Sequence, residues 1–397
     1  MMMPSRCGPL WIERESRIMP LDTYLAWMRN DALPFWLDTG FDSGRGLFYE
    51  KLHLDGTPDA AAELRTRVQA RQIYTYAHAA LLGLSPADIS LARAKAAADR
   101  LHALAWAPDG RPGWVHRLTA DGRIADDRRD LYDHAFMLLG FTWLAKATGE
   151  ARYAGWVDET LDYVDRELTS FQGGWKESDH DELPRRQNPH MHLLEASLAL
   201  FETTGEMRHL TRADAIVALF TRHFFDREAG VLREYFGPGW EQDPRYGSHR
   251  IEAGHHMEWC WLLRTHAHHR DIDVDHVCER LFTAARRFGL DRASGFLVDE
   301  TDDQGHVLAA KRRLWPQTEY LRTLIIQGVS LGDPTLTRAA HDLADRLLAT
   351  YLAQTPRGTW RDQFDLAGAS VTDHIPASTL YHLFTAAAQA HHLLTQL

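Results

Sequence analysis

The hydrophobic pattern of the chain is helical along most of its length. Apolar residues recur three and four positions apart, a spacing that places them on one face of an α-helix. Capping residues, glycines and prolines interrupt this pattern at intervals. The pattern therefore predicts about twelve helices, near residues 12–32, 60–83, 86–104, 129–147, 149–168, 189–204, 207–224, 251–267, 271–289, 315–330, 333–352 and 377–396.

The connections between these predicted helices alternate in length. Short turns follow the even-numbered helices, and long loops follow the odd-numbered ones. Each long loop contains a glycine followed by an apolar or hydroxyl residue. These glycines are Gly46, Gly113, Gly174, Gly230, Gly295 and Gly358, with separations of 67, 61, 56, 65 and 63 residues. Recurrence at a nearly constant period is typical of a repeat architecture.

Six repeats of a helix pair predict an all-α fold, an (α/α)6 barrel of six helical hairpins. An open solenoid is the alternative, but the count of six and the long loops on one side favour a closed ring. The even-numbered helices would then form the inner ring, with their N-termini around the mouth. The chain shows no linker or low-complexity segment, so we expect a single domain over residues 1–397.

The starts of the predicted inner helices carry polar groups that a core helix does not need. In a barrel these positions would surround one pocket, together with the positive ends of the helix dipoles. The residues concerned are Arg71, Tyr132, Asp133, His134, His190, His192, Glu195, His255, Glu258, Trp315, Gln317, Glu319 and His382.

The segment 185–195, RRQNPHMHLLE, shows this feature most clearly. We expect Asn188 to cap the sixth helix and Pro189 to occupy its first position. His192 and Glu195 are three residues apart and therefore share a helix face. An imidazole and a carboxylate side by side at a helix start are suited to sugar binding or proton transfer.

The same His-x-x-Glu spacing recurs at His255 and Glu258 on the eighth helix. Its recurrence on an equivalent helix favours function over a solvated or capping role for these histidines. The spacing is also compatible with metal ligation. However, His190 and His192 diverge on a helix, and the chain has no HExxH or CxxC motif. We therefore predict neither a metal nor a cofactor.

Composition and charge exclude several classes of partner. The net charge is −11 without a basic run, so nucleic acid is not an expected partner. No apolar run reaches the roughly 18 residues that span a bilayer, so no membrane contact is expected. Cys7, Cys260 and Cys278 form no even framework, and the N-terminus lacks a signal-peptide pattern. These features predict a cytoplasmic protein with reduced thiols. The sequence leaves the oligomeric state open between a monomer and a homodimer.

Six sequence blocks resemble one known family. They are Ala70-Arg71, DLYDHAF at 130–136, RRQNPHMHLLEA at 185–196, GHHMEW at 254–259, WPQTE at 315–319 and Tyr381-His382. In these blocks the chain is similar to the N-acylglucosamine 2-epimerase superfamily, whose fold is an (α/α)6 barrel. The blocks span nearly the whole chain in the family's order.

The resemblance implies a role for each matching residue. His255 and His382 would be the acid/base pair, His192 would help to open the sugar ring, and Arg71 would stabilise an enediolate. His374 is an alternative to His382 as the last family histidine. The remaining positions would bind the substrate or support the site; they are Tyr132, Asp133, Asn188, Glu195, Glu258, Trp315, Gln317 and Glu319.

The blocks GHHMEW, WPQTE and PASTLYH look most like those of the mannose isomerase branch. We therefore predict a monosaccharide substrate and an aldose–ketose isomerase that interconverts D-mannose and D-fructose, with D-lyxose and D-xylulose as a second pair. A sugar 2-epimerase of the mannose/glucose or cellobiose type is the first alternative. A glycosidase, or a barrel that only binds carbohydrate, is a further one, although inner helices rich in histidine favour proton abstraction over hydrolysis.

Overall fold

An inner ring of six helices organises the part of the chain that the computed structural model describes, residues 19–396. These helices are the even-numbered ones of the sequence pattern. They are α3 (Thr66–Leu81), α5 (Leu131–Thr148), α7 (Gln187–Thr204), α9 (Ala253–Arg270), α11 (Leu314–Leu331) and α13 (Thr379–Gln396). Each of them starts at the end of a long loop, so their N-termini share one side of the molecule.

The inner ring is closed. Each inner helix packs against the next one in the chain, and α13 packs against α3. The outer helices fill the positions between inner helices. Five of them pack against the inner helix that precedes them in the chain, and the first one packs against the last outer and the last inner helix. The outer helices are α1 (Pro20–Trp27), α2 (Leu33–Asp38), α4 (Ala87–Ala105), α6 (Ala151–Glu167), α8 (Met207–Leu219), α10 (Asp275–Gly289) and α12 (Pro334–Thr350). Ring closure confirms the predicted (α/α)6 barrel and excludes an open solenoid.

Burial distinguishes the two rings. Outer helix α6 buries one face, with Tyr153, Val157, Leu161 and Val164 at helical spacing. Inner helix α5 is buried nearly all round, as expected of a helix enclosed by neighbours. Gly140 allows its close approach to α3, because a Cβ atom there would lie 2.7 Å from a backbone oxygen of that helix.

Short antiparallel strands join the long loops to one another at the mouth. Among the described residues, four pairings link a loop to the next along the chain, five lie within a single loop, and the pair β3–β18 joins the first loop to the last. The pairs and triplets are β1 (Phe41–Asp42) with β2 (Leu47–Phe48), β3 (Lys51–Leu52) with β18 (Ile375–Pro376), β4 (Leu64–Arg65) with β5 (Arg117–Leu118) and β6 (Ile124–Asp126), β7 (Arg185–Arg186) with β10 (Tyr235–Phe236), β8 (Phe225–Asp226) with β9 (Val231–Leu232), β11 (Arg250–Ile251) with β14 (Glu300–Asp302) and β15 (Val307–Ala309), β12 (Leu290–Asp291) with β13 (Phe296–Leu297), and β16 (Lys311–Arg313) with β17 (Gln363–Asp365). The loops therefore form a continuous collar around the mouth.

Three buried histidines near the starts of inner helices attach the loops to the barrel. The Nε2 atom of His134 accepts a hydrogen bond from the backbone N–H of Trp114 at 3.1 Å, and its Nδ1 lies 2.7 Å from the carbonyl oxygen of Asp130. His190 and His256 make the equivalent pair of contacts. Burial lowers the pKa of all three imidazoles, which keeps them neutral. Part of the histidine content that suggested proton chemistry is thus structural.

The first predicted helix differs from the structure. Residues 12–18 of the prediction lie outside the described residues, and helical structure continues beyond residue 32 to Asp38. A wider π-helical turn over Met28–Ala32 separates α1 from α2, and Leu33 N–H reaches the carbonyl oxygen of Met28. Pro34, which has no N–H to donate, lies in the first turn of α2.

Two predicted helix starts differ from the structure, one in its first residue and the other in its capping residue. The second helix begins at Thr66 and not near residue 60, because Leu64–Arg65 pairs as a strand. Asn188 does not cap α7; the capping position is Arg186, in extended conformation, and Asn188 lies within the first helical turn. Its side chain is thereby free to face the mouth.

Cys260 and Cys278 are buried free thiols, as predicted, and Cys7 lies outside the described residues. None of the helices between residues 19 and 396 combines the length and the apolar character needed to cross a membrane.

Candidate active site

A cavity of about 330 Å³ opens at the mouth of the barrel, where the inner helices begin. Residues from all six inner helices and from the collar line it. They are Arg65, Arg71, Tyr132, Asn188, His192, Glu252, His255, Glu258, Arg313, Trp315, Asp362, Gln363, His374, Pro376, Ser378, Thr379 and His382. The volume lies at the lower end of the range for small-molecule sites, about 300–1,000 Å³.

His382 is held by a buried carboxylate. Its Nδ1 atom lies 2.7 Å from Oε1 of Glu319, whose Oε2 accepts a hydrogen bond from Trp261 Nε1 at 3.0 Å. Burial, with the positive charge of Arg71, holds the pKa of His382 well below its usual value. With Glu319 ionised, Nδ1–H donates to the carboxylate and the Nε2 lone pair is left toward the cavity. This imidazole is suited to act as a base.

His255 has the opposite electrostatic environment. Its Nδ1 lies 2.9 Å from Glu234 Oε2 and 3.8 Å from Glu252 Oε2. Burial alone would lower the pKa of His255, but the two carboxylates outweigh it and raise the pKa to about 10. The second ring nitrogen lies 3.1 Å from the side-chain amide of Asn188. The raised pKa favours the imidazolium form of His255, which is suited to act as an acid. In that form the second ring N–H needs an acceptor, and the amide oxygen of Asn188, otherwise without a partner among the described residues, provides it once the amide is flipped.

The two imidazoles flank one aromatic side chain. The ring of Trp315 lies 5.1 Å from that of His255 and 5.6 Å from that of His382, centroid to centroid. Gly254 makes room for this ring, because a Cβ atom there would lie 2.5 Å from it. An acid and a base with displaced pKa values on either side of one cavity are typical of a proton-transfer site.

His192 forms the predicted pair with Glu195, at 3.1 Å between Nδ1 and Oε2. Glu195 also accepts hydrogen bonds from the hydroxyl of Tyr381, at 2.5 and 2.6 Å to its two oxygens. Burial lowers the pKa of His192 to about 4, against the opposing effect of Glu195. His192 is thus a neutral hydrogen-bonding group in the cavity wall, and Glu195 beneath it orients its ring.

Arg71 brings the positive charge of its guanidinium group to the cavity wall. Its Nη2 donates to the hydroxyl of Tyr132 at 2.7 Å, and the group lies over the rings of Phe136 and Tyr381, at 4.2 and 4.9 Å from the centroids. It makes no ion pair with any residue in the described part of the chain. Its charge is therefore available to an anionic oxygen in the cavity.

The second predicted His-x-x-Glu pair does not form. His255 is bonded to Glu234, and Glu258 makes no hydrogen bond to any residue between 19 and 396. Burial and the neighbouring charge of Glu319 hold the pKa of Glu258 well above its usual value. Glu258 therefore presents a neutral carboxyl group to the cavity, able to donate to and accept from a sugar hydroxyl.

Two predicted substrate-binding residues lie outside the cavity. Gln317 is fully buried and bonds the backbone N–H and carbonyl of Leu297, at 2.7 and 2.8 Å, so its amide serves the loop as the structural histidines do. Asp133 is fully buried between Arg67 and His116, at 3.0 and 2.6 Å. Neither can contact a ligand in the cavity, which corrects the prediction for both.

Glu195 and Glu319 lie beneath the cavity and hold its histidines, so of the two predicted roles, substrate binding and support of the site, their positions favour the second. His374 and His382 both line it, but they differ in support. His382 is buried against Glu319, whereas the side chain of His374 is 36% exposed and bonded to its neighbour Asp373. This contrast favours His382 as the functional group.

Several residues of the site were missed in the sequence. Glu234 and Glu252 flank His255, and Arg65, Arg313 and Asp362 line the cavity. Glu252 lies two residues before the GHHMEW block and could have been found as part of an inner-helix start. Glu234 follows a strand in the preceding loop, and only the fold brings it to α9.

Two groups of carboxylates and imidazoles have ligand-type atoms within 4.8 Å of one another. The first is Glu234, Glu252 and His255, and the second is Glu258, Glu319 and His382. In each group an imidazole nitrogen is hydrogen-bonded to a carboxylate oxygen, so these atoms face each other. We do not assign a metal ion to either group.

A second cavity of about 580 Å³ adjoins the first at the mouth and shares Arg65, Arg71, Tyr132 and Asn188 with it. Five arginines line it. Arg71 makes no ion pair among the described residues, and each of the other four is paired with a carboxylate: Arg65 with Glu50, Arg67 with Asp133, Arg128 with Asp126, and Arg186 with Glu177. The wall of this second cavity is thus polar, with one unpaired positive charge where it meets the first cavity.

Known proteins resemble this chain over most of its length. The sequence pattern of the N-acylglucosamine 2-epimerase (GlcNAc 2-epimerase) family matches residues 46–386. The chain is 33% identical to mannose-6-phosphate isomerase of Rhizobium meliloti (strain 1021) over 370 residues, 91% of this chain and 94% of the relative. It is 28% identical to D-mannose isomerase of Thermobifida fusca over 279 residues, 64% and 66% of the two chains.

Among solved structures, cellobiose 2-epimerase from Bacillus thermoamylovorans B4167 superposes with a TM-score of 0.84 and 17% identity, covering 94% of this chain and 99% of the other. At that identity the likeness is one of fold, and it agrees with the closed (α/α)6 barrel described above.

Proposed function

The chain belongs to the N-acylglucosamine 2-epimerase family, and from this premise we propose that it is an aldose–ketose isomerase that interconverts D-mannose and D-fructose. As a class of enzyme, the protein is a sugar isomerase or epimerase, as its relatives are. The observation that carries the mechanism is the pair of oppositely tuned imidazoles, His382 and His255, in one cavity.

The proposed reaction begins with the open-chain aldose. Nε2 of His382 takes the proton from C2, and the electron pair of the C–H bond forms the enediolate, with negative charge on O1. His255 donates a proton to O1 and, now neutral, takes the proton of the O2 hydroxyl. His382 returns its proton to C1, which gives the ketose and restores both imidazoles. Atoms and charge balance within the two groups and the sugar.

Three further residues support this reaction in the proposal. The Arg71 guanidinium stabilises the enediolate oxygen, because a preorganised cation in a buried site acts where charge develops. His192 hydrogen-bonds the ring oxygen or the anomeric hydroxyl and assists ring opening. Glu258 holds a sugar hydroxyl with its carboxyl group.

A second candidate substrate is the 6-phosphate ester of mannose. The Rhizobium meliloti relative is a mannose-6-phosphate isomerase, and arginines, which bind phosphate well, line the adjoining cavity. We rank it second because Arg65, Arg128 and Arg186 are each neutralised by a carboxylate.

The experiment that tests the proposal is a comparison of kcat/KM for the purified protein on D-mannose, D-mannose 6-phosphate, D-glucose and cellobiose, with products identified by NMR. We expect the highest value for D-mannose, with fructose as product. A higher kcat/KM for D-mannose 6-phosphate would show that the phosphate ester, and not D-mannose, is the substrate. Formation of mannose from glucose, or of an epimer from cellobiose, without any ketose would identify a 2-epimerase.

We further propose that the reaction needs no metal ion. Dialysis against EDTA should leave the rate unchanged, because imidazoles and a guanidinium supply both proton transfer and charge stabilisation. The check is the activity before and after EDTA, with metal content measured in the same samples. Loss of activity that one divalent cation restores would contradict this proposal and would point to Glu258, Glu319 and His382.

A further inference from the structure

Arg322 lies on the side of the catalytic centre opposite the mouth. It follows Glu319 by one turn of α11 and lines a cavity of about 220 Å³ among the C-terminal halves of the inner helices. Its guanidinium carbon lies 3.4 Å from the centroid of the Trp261 ring. The same Trp261 donates its Nε1–H to Glu319 at 3.0 Å, and Glu319 holds His382 at 2.7 Å. A continuous series of contacts therefore joins Arg322 to the proposed base.

Arg322 is half-buried, and among the described residues it is the arginine with two buried guanidinium nitrogens that lack a hydrogen-bond partner, where others have at most one. Its Nε and Nη1 atoms are buried, and neither donates a hydrogen bond to any residue from 19 to 395. Most buried donors in proteins are paired. Unpaired donors on a guanidinium beside the catalytic centre suggest that the positive charge of Arg322 has a role. Stacking on tryptophan holds that charge in place, as a cation over an aromatic face.

The need for a cation follows from the carboxylates above it. Glu195, Glu258 and Glu319 are buried together at the centre of the inner ring. Burial raises the pKa of Glu319, and Glu195 raises it further, whereas Arg322 lowers it. Without a counter-charge, three acidic groups in one buried centre would favour the protonated carboxylic acid.

We propose that Arg322 is a positioning residue that keeps Glu319 ionised, and that it thereby fixes His382 in the tautomer that presents Nε2 as a base. This inference deepens the proposed function and rests on it for the role of His382. Arg322 does not line the mouth cavity, so it touches no reacting atom; its charge lowers the pKa of Glu319 and also those of Glu195 and His382. The tautomer of His382 therefore separates the route through Glu319 from a direct effect of the charge on His382.

The tautomer depends directly on the charge of Glu319. An ionised Glu319 accepts the Nδ1–H of His382, which leaves Nε2 unprotonated toward the cavity. A protonated Glu319 would donate to Nδ1, and the ring proton would then lie on Nε2, where it blocks C2 proton abstraction. Loss of the cation would therefore remove the base without removing the imidazole.

Other charged and titratable groups face Glu319 from the surrounding helices. They are Glu195 and His192 on α7, Glu258 on α9, His382 and Tyr381 on α13, Tyr74 on α3 and Tyr24 on α1. The three tyrosines have pKa values raised above their usual range and stay neutral. Arg322 is therefore the guanidinium that counters these acids from below, while Arg71 does so from the cavity.

The test compares Arg322→Met, Arg322→Gln and Arg322→Lys with the wild type in pH profiles of kcat/KM on the turned-over sugar. Removing the cation raises the pKa of Glu319, so the acid limb should move to higher pH by about one unit in the Met and Gln variants. Below that limb the shift corresponds to about a tenfold loss of rate. The Lys variant should recover most of the shift, which a purely structural role would not explain. Arg338→Met, an exposed change on α12, is the matched control and should not move the profile.

An NMR measurement that needs no turnover accompanies the kinetics. The ¹⁵N shifts of the His382 ring, identified by comparison with His382→Asn, report which nitrogen carries the proton. We expect Nδ1–H in the wild type at neutral pH and a larger Nε2–H population in the folded Met or Gln variant. An unchanged acid limb and an unchanged tautomer in either folded neutral variant would overturn the role of Arg322. A wild type that turns over no sugar would refute the proposed function, and the NMR comparison would still decide whether Arg322 sets the tautomer.

Discussion

Replacing His382 with asparagine should reduce kcat by about 10²- to 10⁴-fold, the usual contribution of a general base. The cause is the loss of the nitrogen that takes the C2 proton. The asparagine amide can still donate to Glu319, so the buried carboxylate keeps a partner and the fold should persist. The measurement is kcat on D-mannose, with the melting temperature of both proteins recorded alongside.

The matched control is His374→Ala, a second histidine that lines the same cavity. Its side chain is 36% exposed and its Nδ1 contacts only the neighbouring Asp373. We expect a nearly unchanged kcat, because no buried carboxylate orients this imidazole. The reverse pattern, with His374 essential and His382 dispensable, would show that the base was assigned to the wrong residue.

The second large effect should come from His255→Asn, with a loss of about 10²- to 10⁴-fold in kcat. His255 is the proposed acid, and an amide cannot donate a proton to O1 in its place. The asparagine side chain can still donate to Glu234, which limits the cost of leaving that buried carboxylate without a partner. A rate within a few fold of the wild type in the folded variant would remove His255 from the mechanism.

Glu234→Gln removes the carboxylate that stabilises the positive charge of His255 but keeps the imidazole in the site. Burial lowers the pKa of His255 and Glu234 raises it, and the balance lies at about 10. Without the carboxylate the imidazolium is less stable, its pKa falls, and the alkaline limb of kcat/KM should move to lower pH. The rate below the limb should change less than in His255→Asn. An alkaline limb that stays in place would mean that another group sets it.

The architecture was largely predictable because each repeat carries its own signals. Glycines at a period near 60 residues, short turns after even helices and polar groups at inner-helix starts each report a local feature of one hairpin. Repetition then made the ring of six visible in the sequence. Details that depend on neighbouring loops were not visible, such as the strand over Leu64–Arg65 that delays the start of α3.

The site was predictable where function and position coincide on one helix, as for His192 and Glu195. The His-x-x-Glu rule failed at His255, whose carboxylate comes from Glu234 in the preceding loop. Gln317 shows the opposite error, since a polar residue at an inner-helix start proved to hold a loop. Arg322 was missed because an arginine in the middle of a helix pattern is usually a surface residue. For His255, Gln317 and Arg322 the role depends on contacts between repeats, which the sequence of one repeat does not show.

The most direct test of the proposed function is the conversion of D-mannose in D2O, followed by NMR with the wild type and His382→Asn. The proposal predicts that the wild type forms D-fructose with deuterium at C1, because a proton held on His382 exchanges with solvent before it is returned. It also predicts that the variant forms almost none. Glucose labelled at C2 without fructose, or no turnover of the sugar, would contradict the proposal.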